Sequence, residues 1–177
     1  MIAKPRIERR ATALELRAAE RRLEGHAAVF DMPAKIGGFT ETIARGAFAA
    51  SLEKRDDILA LVDHDQSRVL ARTKSGTLKL SEDDKGLAFS LDVPDTQAGR
   101  DVLALAERGD LGGMSFGFRV PKGGARWRGN TRELCEIDLM EISVVSAWPA
   151  YEGTSIQARR RMPPRLAAAL RYLETVR

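Results

Sequence analysis

The sequence predicts an α+β fold in which a mostly antiparallel sheet of about seven strands closes, or nearly closes, into a barrel with a few helices around it. The chain has 177 residues, of which 44% are hydrophobic and 31% are charged, so it suits a single globular core. Apolar residues alternate with polar ones in several short segments, which is typical of strands. Helical spacing is confined to about two or three segments.

The charged residues divide the chain into three parts. Residues 1–25 carry seven Lys and Arg against four Glu, and residues 159–177 carry six Arg against one Glu, so the body between them is net acidic in a chain of +4. We therefore expect a basic N-terminal arm at residues 1–11, one domain at residues 12–157 and a basic tail at residues 158–177. A dedicated nucleic-acid-binding domain would carry its basic residues on one folded face, so nucleic acid is not an expected partner.

The first elements are expected between residues 12 and 30. Apolar residues partly alternate there, and Glu24-Gly25 is a bulge or turn signal, which predicts two strands or one long bent strand. A helix over residues 11–23 is the competing interpretation, because Ala, Glu, Arg and Leu dominate that stretch.

A short helix over residues 45–54 and a buried strand over residues 58–62 are expected next, the latter from a continuous apolar run. Residues 77–81 and 87–93 alternate at period two, which predicts two further strands. The composition of residues 82–86 predicts the hairpin turn between them.

The clearest helix signal lies in residues 97–108, with Thr96 as the N-cap and Gly109 as the C-cap. Residues 114–120 predict a strand. This strand matters most for function because it carries a short glycine-rich motif.

The remaining chain is predicted as a glycine-rich basic loop at residues 121–130 and a long strand or strand pair at residues 132–148, with the domain ending near Tyr151. Two prolines then interrupt the tail. Beyond them, helical spacing predicts an amphipathic helix that packs on its own domain or docks on a partner. Its apolar residues are Leu166, Leu170, Leu173 and Val176.

Cysteine and histidine are scarce, with only Cys135, His26 and His64 in the whole chain. A disulfide framework, a cysteine-rich zinc site and a three-histidine metal site are therefore excluded, and we expect no metal and no cofactor. No apolar run approaches the roughly 20 residues that span a bilayer, and the charged start lacks the apolar segment of a secretory signal. A cytoplasmic protein is the expectation.

The most specific short motif is Gly-x-Ser-x-Gly, which residues 113–117 supply with Ser115 at its centre. Small neighbours let a reacting carbonyl approach such a serine and leave backbone N–H groups free to bind an oxyanion. The same pattern occurs at ordinary strand edges and bulges, so the motif alone leaves both interpretations open.

The order of residues restricts the type of serine enzyme. An α/β-hydrolase places its acid and its histidine after the serine, whereas His26 and His64 both precede Ser115, so that fold is excluded. His64 stands where an apolar strand meets a polar turn, a place from which a rigidly held side chain can reach a cleft. His26 lies within an alternating strand, and we expect it to be structural.

A histidine base requires an orienting partner, and Glu141 and Asp138 are the acidic candidates. In a regular strand Glu141 shares a face with Leu139 and Ser143, and Asp138 points to the other face. Both faces are partly apolar, which favours pairing of a carboxylate with a histidine or an arginine. A structural salt bridge is the alternative role for either residue.

Five stretches and a closing dipeptide together match one pattern. They are residues 24–31 (EGHAAVFD), 41–48 (ETIARGAF), 61–65 (LVDHD), 112–118 (GGMSFGF) and 139–146 (LMEISVVS), and then Pro149-Ala150. With them the chain resembles the prohead proteases of tailed bacteriophages, which are related to the herpesvirus assemblin protease. The resemblance covers most of the chain, and the order of its motifs is far more specific than any one of them.

This resemblance implies a serine protease domain at residues 12–157 with an assemblin-like barrel, His64 as the base and Ser115 as the nucleophile. In the herpesvirus relatives the third member is a histidine that follows the serine, but no histidine follows Ser115 in this chain. An acidic residue then takes that role, and we assign it to Glu141 ahead of Asp138.

The resemblance also implies partners and a place of action. The substrates would be the major capsid protein with its scaffolding segment, the scaffold, and the C-terminal tail of this chain. The relatives imply a homodimer that works inside assembling proheads in the cytoplasm of the bacterial host. A second hypothesis is a noncatalytic capsid-assembly or scaffold-binding module that kept the protease fold. The presence of both His64 and Ser115 favours the protease.

Overall fold

Thirteen strands and two helices are formed by the described part of the chain, residues 7–12, 17–19, 21–54 and 56–146 of a computed structural model. The strands are β1 (Glu8–Thr12), β2 (Arg17–Ala19), β3 (Arg22–Val29), β4 (Ala34–Ile36), β5 (Phe39–Ile43), β6 (Leu59–Val62), β7 (Asp65–Arg72), β8 (Leu78–Glu82), β9 (Gly86–Asp92), β10 (Gly113–Arg119), β11 (Ala125–Arg128), β12 (Thr131–Leu134) and β13 (Asp138–Val145). The helices are α1 (Ala49–Glu53) and α2 (Gln97–Arg108).

The strands pair into three sheets. A five-stranded sheet has the order β1-β10-β13-β6-β7, and two four-stranded sheets have the orders β11-β12-β5-β4 and β2-β3-β9-β8. Neighbouring strands are antiparallel except for two parallel pairs, β12 with β5 and β13 with β6. The catalytic candidates from the sequence all belong to the five-stranded sheet: Ser115 lies on β10, Glu141 and Asp138 lie on β13, and His64 lies in the turn between β6 and β7.

The expectation of a closed or nearly closed barrel is wrong. Among the described residues all three sheets are open, because each ends in two strands that pair on one side only. A barrel requires every strand to have two hydrogen-bonded neighbours. Here strands of three to eight residues are shared among three sheets, so none of the sheets closes. The expected number of strands was too low because the shortest strands are too brief to show alternation.

One cluster of buried apolar side chains draws on all three sheets and on α2. Its centre is aromatic: the ring of Phe48 lies 6.2 Å from that of Phe30 and 5.7 Å from that of Phe116, and Phe116 lies 5.2 Å from Phe118. Along β10, Met114, Phe116 and Phe118 all face this core. Because side chains alternate along a strand, Ser115 points to the opposite face of the sheet.

The elements that short stretches of sequence predict are confirmed by the structure. Helix α2 has the predicted bounds, Thr96 accepts a hydrogen bond at its side chain from Gly99 N at 3.2 Å, and Gly109 ends the helix in the left-handed conformation at φ 76°. The hairpin of β8 and β9 and the buried strand β6 are confirmed as well.

In other segments the structure decides between two predicted interpretations or differs from the prediction. The described residues between 17 and 29 form β2 and β3, so the prediction of two strands is confirmed there and the competing helix over residues 11–23 is not adopted. The expected loop at residues 121–130 contains β11. Of the long strand or strand pair expected at residues 132–148, two strands form, and they are separated where the backbone N–H groups of Cys135 and Glu136 both donate to Gly124 O, at 2.8 and 3.0 Å. These strands, β12 and β13, belong to different sheets.

The predictions for the two ends of the chain have different outcomes. Residues 8–11, which the charge pattern groups with the basic arm, belong to β1, and β1 pairs with β10. The amphipathic helix expected in residues 158–177 and the domain end expected near Tyr151 lie outside the described residues. Within the described ranges, no helix is long and apolar enough to cross a membrane.

Candidate active site

Ser115 lies in the middle of β10 and is buried, with 1% of its surface exposed. Strand β1 runs beside it, and Ala11 is directly opposite Ser115 in the ladder. The Ser115 hydroxyl donates a hydrogen bond to the backbone oxygen of Arg10 at 2.9 Å. In this arrangement the N-terminal strand lies beside the serine in the sheet, and its backbone accepts the hydrogen bond of the serine hydroxyl.

Glu141 lies on β13 directly opposite Gly117 of β10. A Cβ atom on Gly117 would lie 2.7 Å from both Cγ and Oε1 of Glu141, which is too close for any real side chain. The second glycine of the Gly-x-Ser-x-Gly motif therefore makes room for the Glu141 carboxylate. The sequence interpretation had assigned this glycine to the approach of a substrate.

A bulge in β13 decides which face of the sheet Glu141 occupies. Gly117 pairs with Glu141 but the next residue of β10, Phe118, pairs with Leu139, so Met140 is the extra residue. Leu139 therefore faces the core. Of the two residues that were predicted to share the face of Glu141, Leu139 and Ser143, only Ser143 does so. The expected regular alternation was wrong because a bulge inverts the facing of every residue beyond it.

His64 lies in the turn that joins β6 to β7, as the sequence predicts for the end of a buried strand. Asp63 and His64 are the two residues of a tight hairpin, and both have positive φ, 50° and 62°. Positive φ at both positions is the type I′ turn, which costs a non-glycine residue about 1–2 kcal/mol. Asp63 holds the turn in place, because its carboxylate accepts hydrogen bonds from Ser146 N at 2.7 Å and Ser146 Oγ at 2.9 Å.

The structure brings His64 and Glu141 together. His64 Nδ1 lies 2.7 Å from Glu141 Oε1. Burial raises the pKa of Glu141, but the hydrogen bonds and positive charges of His64 and Arg9 outweigh burial and hold that pKa below its ordinary value. Since an ionised carboxylate only accepts hydrogen bonds, Nδ1 of the imidazole carries a proton, and in the neutral form of the ring Nε2 then has the lone pair.

The other acidic candidate and the other histidine are engaged elsewhere. Asp138 accepts a hydrogen bond from Lys54 Nζ, and His26 Nε2 lies 2.7 Å from Asp83 in the hairpin of β8 and β9. Neither contact involves His64. Within the described ranges, no three His, Cys, Asp or Glu side chains are grouped as a metal ion requires.

Ser115 is not hydrogen-bonded to His64 in this arrangement, because its hydroxyl is turned to Arg10 O. It lies opposite Ser143, and Ser143 is two residues from Glu141 on the same face. Two residues of a strand span about 7 Å, so the serine and the histidine–carboxylate pair border one face of the sheet.

Sequence reasoning missed the place of Arg9 on this face. Arg9 of β1 donates from Nε to Glu141 Oε1 at 3.2 Å, and the sequence analysis grouped it with the basic arm. No local signal could have found this contact, because it depends on the pairing of strands that are distant in the chain. Ser143, which the spacing of two from Glu141 placed on this face, is fully buried, and among the described residues its Oγ has no hydrogen-bond partner.

A buried serine on the same face of the sheet as a carboxylate that binds a histidine provides the groups of a serine hydrolase. Comparison with protein families supports this class. The profile of the caudovirus prohead serine proteases matches residues 7–166, and the chain belongs to this family of bacteriophage capsid-maturation proteases. A search of curated proteins and a search of solved structures gave no match.

Proposed function

We propose that this chain is a serine endopeptidase that cleaves capsid and scaffolding proteins during prohead maturation, with Ser115 as nucleophile, His64 as general base and Glu141 as the residue that orients His64. The observation that carries the proposal is the 2.7 Å contact between His64 Nδ1 and Glu141 Oε1. It leaves the Nε2 lone pair available to accept the proton of a serine hydroxyl.

In the proposed mechanism the Ser115 hydroxyl turns from Arg10 O towards His64. Side-chain rotation between staggered wells makes such a turn available, and catalytic hydrogen bonds often form only when substrate is bound. Ser115 Oγ attacks the scissile carbonyl carbon while His64 Nε2 takes its proton. His64 then gives the proton to the leaving amine, and a water molecule hydrolyses the acyl-enzyme by the same steps. Since Ser115 is 1% exposed, an opening of the structure near β1 precedes the attack.

The substrates we propose are the major capsid protein with its scaffolding segment, the scaffold and the tail of this chain at residues 158–177. The site of action is the assembling prohead in the host cytoplasm, where the chain acts as a homodimer. Family membership supports this part of the proposal. We also propose that the chain is related to the herpesvirus assemblin protease, and the order of His64 before Ser115 supports this relation.

The decisive experiment is coexpression of the chain with the major capsid protein of the same phage. Ser115→Ala and His64→Ala should each reduce capsid cleavage by about a thousandfold or more, and Glu141→Gln by about a hundredfold or more. Asp138→Asn is the matched control, and it should cleave at the wild-type rate because Asp138 pairs with Lys54. Wild-type cleavage by either of the first two variants would refute the assignment.

Self-processing needs a separate test. Intact-mass measurement under assembly conditions should show loss of a C-terminal fragment from the wild type and a full-length Ser115→Ala protein. Equal, full-length masses for both would count against cleavage of the tail.

A noncatalytic assembly module is the second candidate, and one observation favours it. The Ser115 hydroxyl is buried and bound to Arg10 O, so no substrate carbonyl reaches it in this arrangement. Reaction with a serine-directed phosphonate separates the two candidates. A protease forms an adduct that maps to Ser115 and is absent in His64→Ala, whereas a noncatalytic module forms none.

A further inference from the structure

Three residues on three neighbouring strands form one row across the sheet. Arg9 of β1 is opposite Gly117 of β10, and Gly117 is opposite Glu141 of β13. Two strand spacings separate the outer residues, which is about 10 Å between their backbones. Arg9 reaches Glu141 across the glycine because Gly117 has no side chain to block the way.

Arg9 and His64 converge on the same oxygen atom. Glu141 Oε1 accepts from Arg9 Nε at 3.2 Å and from His64 Nδ1 at 2.7 Å. The Glu141 side chain is 9% exposed, whereas that of Arg9 is 52% exposed. The carboxylate is therefore held between a cation from the N-terminal strand and the imidazole from the turn between β6 and β7.

The opposite face of β1 fixes the position of Arg9. Arg10 donates from Nε to Glu41 Oε1 at 2.6 Å, and Arg132 donates from Nη1 to Glu8 Oε2 at 2.7 Å and to Glu41 Oε2 at 3.1 Å. Arg10 and Glu41 are buried, so their charges require partners. A shift of β1 by one residue would turn Arg10 away from these partners, because it would move each side chain to the other face. This four-residue ion cluster thus holds Arg9 beside Glu141.

We propose that Arg9 is a positioning residue, which holds the Glu141 carboxylate in the orientation that receives His64 Nδ1–H. The proposal deepens the proposed function and rests on it only for its effect on catalysis. Among the described residues, Asp63 and Asp65 are charged chain neighbours of His64, and both are bound elsewhere. Asp63 is bound to Ser146, with Arg68 Nη1 3.6 Å from its carboxylate, and Asp65 is bound to Ser67. Glu141 is thus the carboxylate bonded to the imidazole, and Arg9 is the cation bonded to Glu141.

The first test is the tautomer of His64, read from long-range proton–nitrogen NMR spectra at a pH where imidazoles are neutral. The chain has two histidines, and the structure gives them opposite tautomers: Nδ1–H for His64, which faces Glu141, and Nε2–H for His26, which faces Asp83. His26 is therefore an internal control for folding, and His26→Gln assigns the two signals.

In the Arg9→Gln variant the fraction of His64 in the Nδ1–H tautomer should fall, while the His26 signal stays unchanged. Arg9→Lys should keep that fraction near the wild-type value because the positive charge is retained. Gly117→Ala should lower it as Arg9→Gln does, since the added methyl displaces Glu141. A full Nδ1–H population in Arg9→Gln would overturn the proposal, whether or not the chain is a protease.

The second test uses capsid cleavage. Arg9→Gln should lower kcat by about tenfold with KM unchanged, and Arg9→Lys should recover most of the loss. Equal kcat values for wild type and Arg9→Gln would overturn the role of Arg9 even where Ser115→Ala abolishes cleavage. If the tautomer changes as expected but no variant and no wild-type sample cleaves, the positioning role stands and the protease assignment fails.

Discussion

Two buried serines stand in contrasting environments. Ser51 Oγ accepts a hydrogen bond from Leu139 N at 2.8 Å, whereas Ser143 Oγ has no partner among the described residues. Burial of a polar group without a partner costs free energy, and loss of a partner from a buried N–H costs about 1–3 kcal/mol. The same Ser→Ala change should therefore have opposite consequences at these two positions.

Ser143→Ala should leave the free energy of unfolding unchanged or raise it by up to about 1 kcal/mol, and Ser51→Ala should lower it by about 1–3 kcal/mol. Urea titrations of the two variants against wild type measure both effects. A loss at Ser143 as large as that at Ser51 would show that the Ser143 hydroxyl has a stabilising partner.

The carboxylate of Asp83 predicts that the stability of the fold depends on pH. Burial raises its pKa, but hydrogen bonds from Gly86 N, His26 and Lys85 N outweigh burial and lower the pKa to about 2. Because the folded-state pKa lies below the unfolded value near 4, the stabilisation by Asp83 is complete above about pH 4. It is lost as the pH falls through about 2.

The Asp83→Asn variant isolates this contribution from that of other carboxylates. At pH 7 it should be less stable than wild type, and most of this difference should be lost by about pH 2. Urea unfolding of both proteins at pH 7, 4 and 2 measures it. A difference of equal size at pH 7 and pH 2 would show that the Asp83 charge does not stabilise the hairpin.

At the scale of elements, α2 is defined by its two ends. The side chain of Thr96 satisfies one N-terminal N–H group, and Gly109 adopts the left-handed conformation in which a side chain is strained. Both devices are local in sequence, which is why residues 96–109 alone predict the helix bounds.

Thr96→Ala and Gly109→Ala should each lower the free energy of unfolding by about 1 kcal/mol. Glu107→Ala, an exposed change in the same helix, is the control and should remain within about 0.5 kcal/mol of wild type. Thermal unfolding followed by circular dichroism provides the comparison. If Glu107→Ala is as destabilising as the cap variants, the caps do not explain the stability of α2.

The turn between β6 and β7 is strained, whereas the ends of α2 are not. Asp63 and His64 occupy left-handed conformations that asparagine and glycine adopt more readily. This strained turn directs the His64 imidazole to Glu141, and strained residues are common at functional sites. The sequence places His64 at the end of a strand, but only the structure shows the type of turn that aims its side chain.

At the scale of the whole molecule, the ion cluster of Glu8, Arg10, Glu41 and Arg132 joins the five-stranded sheet to the four-stranded sheet that contains β5 and β12. Arg10 also lies over the ring of Phe118, 5.4 Å from its centroid. The N-terminal strand is thus attached to the second sheet as well as to β10.

Removal of the Glu41 charge should therefore affect the whole fold. Glu41→Gln should lower the free energy of unfolding by about 1.5–3 kcal/mol, because Arg10 and Arg132 lose the charged oxygens of Glu41 as hydrogen-bond acceptors, although both still bind Glu8. Glu133→Gln on β12 is the matched control: its 3.8 Å pair with exposed Arg126 contributes about 0–1 kcal/mol. Urea unfolding measures both, and equal effects at the two positions would mean that the cluster does not join the sheets.

Closure of the sheet is also a property of the whole molecule, and there the sequence prediction was wrong. Period-two alternation identifies strands but carries no information about which strands pair. The parallel pairing of β13 with β6 and the bulge at Met140 are tertiary features, and the bulge overturned the predicted facing of Leu139.

The sequence by itself determined what depends on neighbouring residues: helix α2 with its caps, the hairpin of β8 and β9, His64 at the end of a buried strand, and the family motifs around Ser115. Only the tertiary structure decided what depends on distant residues. Glu141 is 77 positions from His64 and 132 from Arg9, yet all three meet at one carboxylate oxygen. The physical reason is that strand register and bulges set these contacts, and the register follows from the burial and pairing of side chains that lie far apart in the chain.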